Sequence, residues 1–200
     1  MSDKDAFKER GRALEEEYFH RKEQELIAKM REKAATEATR AELGQRTGVA
    51  DEQLLADLQE LGYTPETISL LHLVPLVQMA WAEGNVSRRE RDLIIEAARA
   101  RGIELNSPAD KQLQAWLTTR PSEALFDATL RAIGAMLASR PESERDAGRK
   151  DLLSYMSSIA SASGGILGIG AVSDQERAVL ERVTAELSKA HDASSVLPGD

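Results

Sequence analysis

Apolar residues recur at helical spacing along almost the whole chain, and no stretch alternates with the period of two that a half-buried strand requires. Residues 5–43 are dense in Glu, Lys, Arg and Ala, contain no proline and hold one glycine, Gly11. That is the composition of a single long helix. Placed at about 100° per residue, Phe7, Leu14 and Tyr18 fall on one stripe of this helix; Phe19, Leu26 and Met30 fall on another, roughly a quarter turn away. One buried face needs no such rotation, whereas two contacts, or one wrapping contact, do.

From residue 44 the punctuation becomes regular. A turn at Thr47-Gly48 leads into a short helix over 51–61, closed by Gly62 as a left-handed cap. Thr64-Pro65-Glu66 reads as an N-cap followed by proline at the first helical position. Pro75 interrupts the apolar run from Leu70 to Trp81 and splits or kinks it. Asn85-Val86-Ser87 starts a helix ending near Arg101, with Gly102 after it, and Ser107-Pro108 starts the next. Two longer helices are predicted over 122–139 and 142–162. After a glycine-rich loop, Ser173 caps a helix over 174–190. The tail from His191 to Asp200 carries serines and a Pro-Gly and is expected to be disordered. The chain is therefore expected to be all-α: an N-terminal helical arm over 1–44, a helical body over 45–190 and a tail over 191–200.

The body contains an internal echo. Gly84, Val86, Ser87, Glu90 and Arg91 return in the same order and spacing as Gly170, Val172, Ser173, Glu176 and Arg177. Beyond them Leu93, Ile94 and Ala97 are matched by Val179, Leu180 and Val183, giving both helices one inward stripe. Two such units, each an apolar segment, a glycine turn and an amphipathic helix, can pack as a pseudo-symmetric pair. The phrase Met79-Ala80-Trp81-Ala82-Glu83-Gly84-Asn85-Val86-Ser87, with Glu90 beyond it, resembles the signature of the TerB-like (tellurite-resistance) helical domains. Gly164-Gly165-Ile166-Leu167-Gly168-Ile169-Gly170, followed by Val172-Ser173 and Glu176, is similar to the second half of that domain. The resemblance covers residues 65–190. It implies a TerB-like helical bundle with a pseudo-repeat, of a kind found in bacteria and associated with metal stress and membrane-linked complexes, in which acidic residues are proposed to bind a metal ion.

Carried onto this sequence, the metal-binding positions are Glu83, Glu90 and Glu176, with a divalent cation as the ligand. The family pattern has Asp before the glycine, where Glu83 stands, and the second copy has Ile169 at the corresponding place. A hard cation such as Ca²⁺ takes six to eight oxygen ligands, and three glutamates supply few of them. Ser87-x-x-Glu90 and Ser173-x-x-Glu176 are also capping boxes, in which serine and glutamate satisfy the amides of a helix N-terminus reciprocally. Capping accounts for both serines and both later glutamates without a ligand and is favoured over a weak metal site.

Residues 6–28 carry a second resemblance. Ala6, Phe7, Arg10, Ala13, Glu15, Glu16, Tyr18, Phe19, Glu25 and Ala28 align without a gap with the inhibitory segment of the F-type ATPase inhibitor protein. In that family the segment is a helix that inserts at a catalytic interface of the ATPase and blocks rotation. Glu17 sits where the family tends to be basic, and the family's histidine-rich switch and antiparallel coiled coil have no counterpart downstream. An amphipathic helix with adjacent aromatics suits a helix-in-groove ligand, so Phe7, Leu14, Tyr18 and Phe19 are the candidate partner-binding residues. The N-terminal helix is expected to dock on the chain's own body or on a second copy of the chain, ahead of a separate protein partner.

Composition narrows the remaining classes. Of 200 residues, 42% are hydrophobic, enough for a core, while 30% are charged and the net charge is −8. That balance disfavours nucleic-acid binding, which needs a basic surface. The segment from Leu43 to Val49 imitates a helix-turn-helix, but the helix after it offers Asp51, Glu52, Asp57 and Glu60 where DNA would require cations. No cysteine is present, which excludes disulfides, thiolate zinc sites and cysteine nucleophiles. The glycine-rich loop lacks the strand before it and the Lys-Ser/Thr after it that a phosphate loop needs. His20, His72 and His191 are scattered; His72, within an apolar run, is expected as a hydrogen-bonded core histidine, and Trp81 and Trp116 as core anchors. No nucleophile motif is visible, so no enzyme is predicted. No window is long and apolar enough to span a membrane and no secretory signal is visible. The protein is expected to be cytoplasmic, and peripheral membrane association stays open. Function is expected to lie in protein–protein contacts within a stress-response setting.

Overall fold

The computed structural model describes residues 3–163 and 172–195, with side chains described over 18–162 and 172–189 except residue 19. Among these residues there are eight α-helices, one 3-10 helix and no strand. The chain divides into two units, Met1–Ala41 and Glu42–Asp200.

The first unit is made by α1, Asp3–Thr47, whose last turn lies in the second unit. No proline interrupts it, and i,i+3 and i,i+4 pairs run along its surface: Lys22 with Glu25 at 3.1 Å and Arg46 with Glu42 at 2.8 Å. Each adds only a few tenths of a kcal/mol, so it is the unbroken run of good helix formers that makes the helix. Within the second unit Leu43 is fully buried, and Thr47 and Val49 are buried beside it in sequence.

The second unit begins with α2, Glu52–Glu60, capped by the Asp51 carboxylate, which accepts from the Gln53 and Leu54 amides. Gly62 adopts φ +89°, where other residues are strained. This lets the Tyr63 N–H reach the Leu58 carbonyl at 3.0 Å and closes the helix, as expected. The next element departs from expectation. Thr64-Pro65-Glu66 does not start an α-helix: the Thr64 carbonyl accepts from the Thr67 and Ile68 amides at 3.0 and 2.9 Å, and a 3-10 helix follows at Ile68–Leu73. The cause is Pro75, which removes the amide that would have bonded one α-turn back, so the short segment before it tightens. Pro75 then serves in the first turn of α3, Val74–Ala80, every residue of which is buried.

The helix α4, Arg88–Ala100, is capped by Ser87, and α5, Pro108–Thr118, by Ser107. Between them, Asp110 accepts from the Arg99 guanidinium at 2.6 Å and the Asn106 amide at 2.9 Å, which locks the α4–α5 corner. Two longer helices follow, α6, Glu123–Ala138, and α7, Glu142–Ser163. The final helix α8 spans Asp174–Ser195, so it continues past the expected end at residue 190; the rest of the tail and the glycine-rich loop lie outside the described residues.

The core is built around α3, which packs against the 3-10 helix, α4, α6, α7 and α8, while the most extensive pairing is α6 with α8. Arg182 of α8 clasps α6 by pairing with Glu123 at 3.0 Å and with Asp127. At Gly148 of α7 a Cβ would sit 2.9 Å from Leu137 Cδ2 of α6, so glycine makes room for that side chain. Trp116 is buried and meets the Tyr63 ring edge-on at 5.9 Å between centroids. Trp81 is half-buried and donates its indole N–H to the Trp116 carbonyl at 2.8 Å. Among the described residues no helix is long and apolar enough to cross a membrane.

Candidate functional site

Of the three glutamates singled out by the sequence, Glu90 and Glu176 lie at two helix N-termini. At α4 the Ser87 amide donates to Glu90 Oε2 at 2.7 Å and the Glu90 amide to Ser87 Oγ at 3.3 Å. At α8 the Ser173 amide donates to Glu176 Oε2 at 2.7 Å and the Glu176 amide to Ser173 Oγ at 3.2 Å. Both capping boxes therefore form, with nearly the same geometry. What the capping pattern alone does not convey is burial: Glu90 is 3% exposed and Glu176 1% exposed, unusual for carboxylates.

The charge of Glu176 also bears on Glu90. Burial pushes the Glu90 carboxyl above its usual range, against the Ser87 hydrogen bonds that favour its charged form, and the charges of Glu176 and Glu83 push it further up. Glu83 itself is exposed, at the end of the turn after α3. The fold thus brings together the electrostatic fields of three glutamates from separate parts of the sequence. Among the described residues, however, no group of three or more acidic or histidine side chains is arranged to hold a metal ion. Chemically, the arrangement holds two helix N-termini in place and keeps negative charge under a thin cover.

The helices that follow the boxes share part of a face. Ile94 and Ala97 of α4 are buried and Leu93 packs on the core from its edge; on α8 Val183 is buried while Val179 and Leu180 are half-buried. The arginines diverge. Arg91 donates to the Leu117 carbonyl at 2.6 Å and so caps the end of α5, whereas Arg177 pairs with Asp174 at 3.6 Å on the surface.

On the N-terminal helix, Tyr18 is 49% exposed, Leu26 59%, Ile27 42% and Met30 64%. The side chains of Phe7, Leu14 and Phe19 lie outside the described residues. Ile27 was not singled out by the stripe pattern, yet it continues the exposed apolar surface between Leu26 and Met30.

His72 differs from the hydrogen-bonded core histidine expected of it. It is half-buried, its ring makes no hydrogen bond to any described residue, and it lines a cleft with Arg101 and Arg140. Nothing in the local sequence announces this, because the three residues come from three different elements.

No protein-family model, curated protein or solved structure matches the chain.

Proposed function

We propose that the chain is a non-enzymatic, TerB-like helical module of the stress-response kind that works through protein–protein contacts, with the N-terminal helix as its contact element. The observation that carries this is that four large apolar side chains on α1, Tyr18, Leu26, Ile27 and Met30, are left exposed to solvent. Several large apolar side chains left exposed along one helix suit an interaction surface, and an apolar groove on a partner is the complement that a helix fits. The resemblance of residues 65–190 to TerB-like domains and the internal echo support the identity of the body. The chain with Tyr18, Leu26 and Met30 all changed to Ala should capture fewer proteins from the source cell than the wild type. If the two chains capture the same partners and sediment alike over a range of concentrations, the N-terminal helix is not the contact element.

A divalent cation receives no more than low-affinity binding at Glu83, Glu90 and Glu176, since Glu90 and Glu176 are already committed to backbone amides. Millimolar Ca²⁺ or Mn²⁺ would then raise the melting temperature slightly, through preferential binding to the folded state, and Glu83→Gln would remove the rise.

The second reading is a regulator that inhibits a rotary F-type ATPase. Its support is the solvent exposure of Tyr18 on an uninterrupted helix, within the segment that aligns with the inhibitor family. A peptide of residues 1–35 should slow ATP hydrolysis by the cognate enzyme, with Tyr18→Ala and Phe19→Ala relieving the effect. An inert peptide leaves only the first reading.

A further inference from the structure

A cleft of about 250 Å³ opens where the 3-10 helix, the end of α4, the α6–α7 corner and α7 meet. His72, Arg101, Arg140 and Asp151 line its polar side, and Ile133 and Leu152 belong to its apolar side. In a chain of net charge −8, two guanidinium groups and an imidazole around one cleft need an explanation. No close ion pair occupies them: neither Arg101 nor Arg140 pairs with Asp151 or with any other described residue. Arg101 lies over the Tyr155 ring, 4.8 Å from its centroid, and donates to the Ala97 carbonyl at 3.3 Å. Those contacts fix the guanidinium in place without spending its charge. The Arg140 side chain makes no hydrogen bond to the described residues.

We propose that this cleft binds a small organic carboxylate, with Arg101 and Arg140 holding the carboxylate, His72 beside them, and Ile133 and Leu152 against a short apolar body. Guanidinium groups recognise a planar carboxylate through paired N–H donors and remain charged at every accessible pH. Ile133 and Leu152 beside the guanidinium groups favour an anion that carries an apolar body over a bare phosphate, which has none to bury. The volume of about 250 Å³ lies below the roughly 300–1,000 Å³ of sites for drug-sized ligands, which suits a small carboxylate. The lowered basicity of His72 agrees with this geometry: burial first, then the positive charges of Arg101 and Arg140, disfavour its protonated form, and a bound anion would offset the latter two.

The full chain with ¹⁵N-labelled histidine rings provides the test, with hexanoate as the probe. The His72 ring resonances should shift saturably on adding millimolar hexanoate. Arg140→Gln, at an exposed position whose side chain makes no hydrogen bond or ion pair with the described residues, should weaken binding by about fivefold or more, the loss of one charge-assisted contact. Arg101→Gln should act in the same direction. Hexanol, which has the same apolar body without the charge, should leave the ring unshifted, and inorganic phosphate should bind more weakly than hexanoate. No saturable shift at tens of millimolar hexanoate, an equal shift with hexanol, binding of phosphate as tight as that of hexanoate, or undiminished binding by a folded Arg140→Gln chain would each overturn the proposal.

Discussion

Glu90 does two opposing things in one place. Its carboxylate accepts from the Ser87 amide at 2.7 Å, which ties down a helix N-terminus, yet it does so while buried and in the field of Glu176 and Glu83. Substitutions separate the two. Glutamine at this third helical position still presents an oxygen to the Ser87 amide and completes a capping box, but carries no charge into the burial. Glu90→Gln should therefore be neutral or stabilising at pH 7. Glu90→Ala loses the hydrogen bond from the half-buried Ser87 amide, and Ser87→Ala loses the reciprocal one; each should cost about 1 kcal/mol. Urea denaturation of the three variants measures this directly. A Glu90→Gln chain as unstable as Glu90→Ala would show that the charge itself is required, as a bound cation would demand.

Among the helices, α1 is the element whose residues differ most in consequence along its length. Leu43 in its last turn is fully buried in the core of the second unit, whereas Met30 is 64% exposed. Leu43→Ala should cost about 2–5 kcal/mol, the usual range for a truncation that leaves a cavity, while Met30→Ala should stay within about ±0.5 kcal/mol. Thermal melts of the two chains suffice, and similar losses would mean that Met30 is covered in solution. Most elements were legible because their boundaries are written locally: Ser87, Ser107 and Ser122 each accept a helix amide, and Gly62 and Gly102 adopt the left-handed conformation after α2 and α4. The Thr64-Pro65 start was misread because a second proline, ten residues on, decides which helix type the intervening segment can hold. Both capping boxes were readable from Ser-x-x-Glu spacing. Their burial was not, since it depends on how α3, α4 and α8 pack. The cleft of His72, Arg101 and Arg140 was invisible for the same reason: each residue is unremarkable in its own element and acquires meaning only where the elements meet.

For the whole molecule these local charges combine into a pH dependence whose sign can be worked out. The Arg99 guanidinium beside Asp110, with the Asn106 amide, holds that carboxyl below its usual range. A depressed carboxyl contributes stability that is present above its unfolded value, about 3.9, and lost as pH falls through the folded one. Glu123, which pairs with Arg182, is shifted in the same direction, but at an exposed surface where solvent screening leaves it little weight. Glu90 runs the other way. Its carboxyl is raised, so its contribution is fully present below the unfolded value of about 4.3 and is lost as pH rises through the higher folded one. The net charge of −8 adds to this, because acidification from neutral relieves general repulsion in the compact state. Stability should therefore rise as pH drops from 7 to about 5, then fall below about 4 as Asp110 and its like are protonated. The urea midpoint recorded from neutral to acid pH should trace that maximum, and in Glu90→Gln the rise on its neutral side should be smaller while the acid limb keeps its shape. A wild-type midpoint that falls steadily from pH 7 downward would mean that the burial of the Glu90 carboxyl weighs too little to shape the stability of the fold.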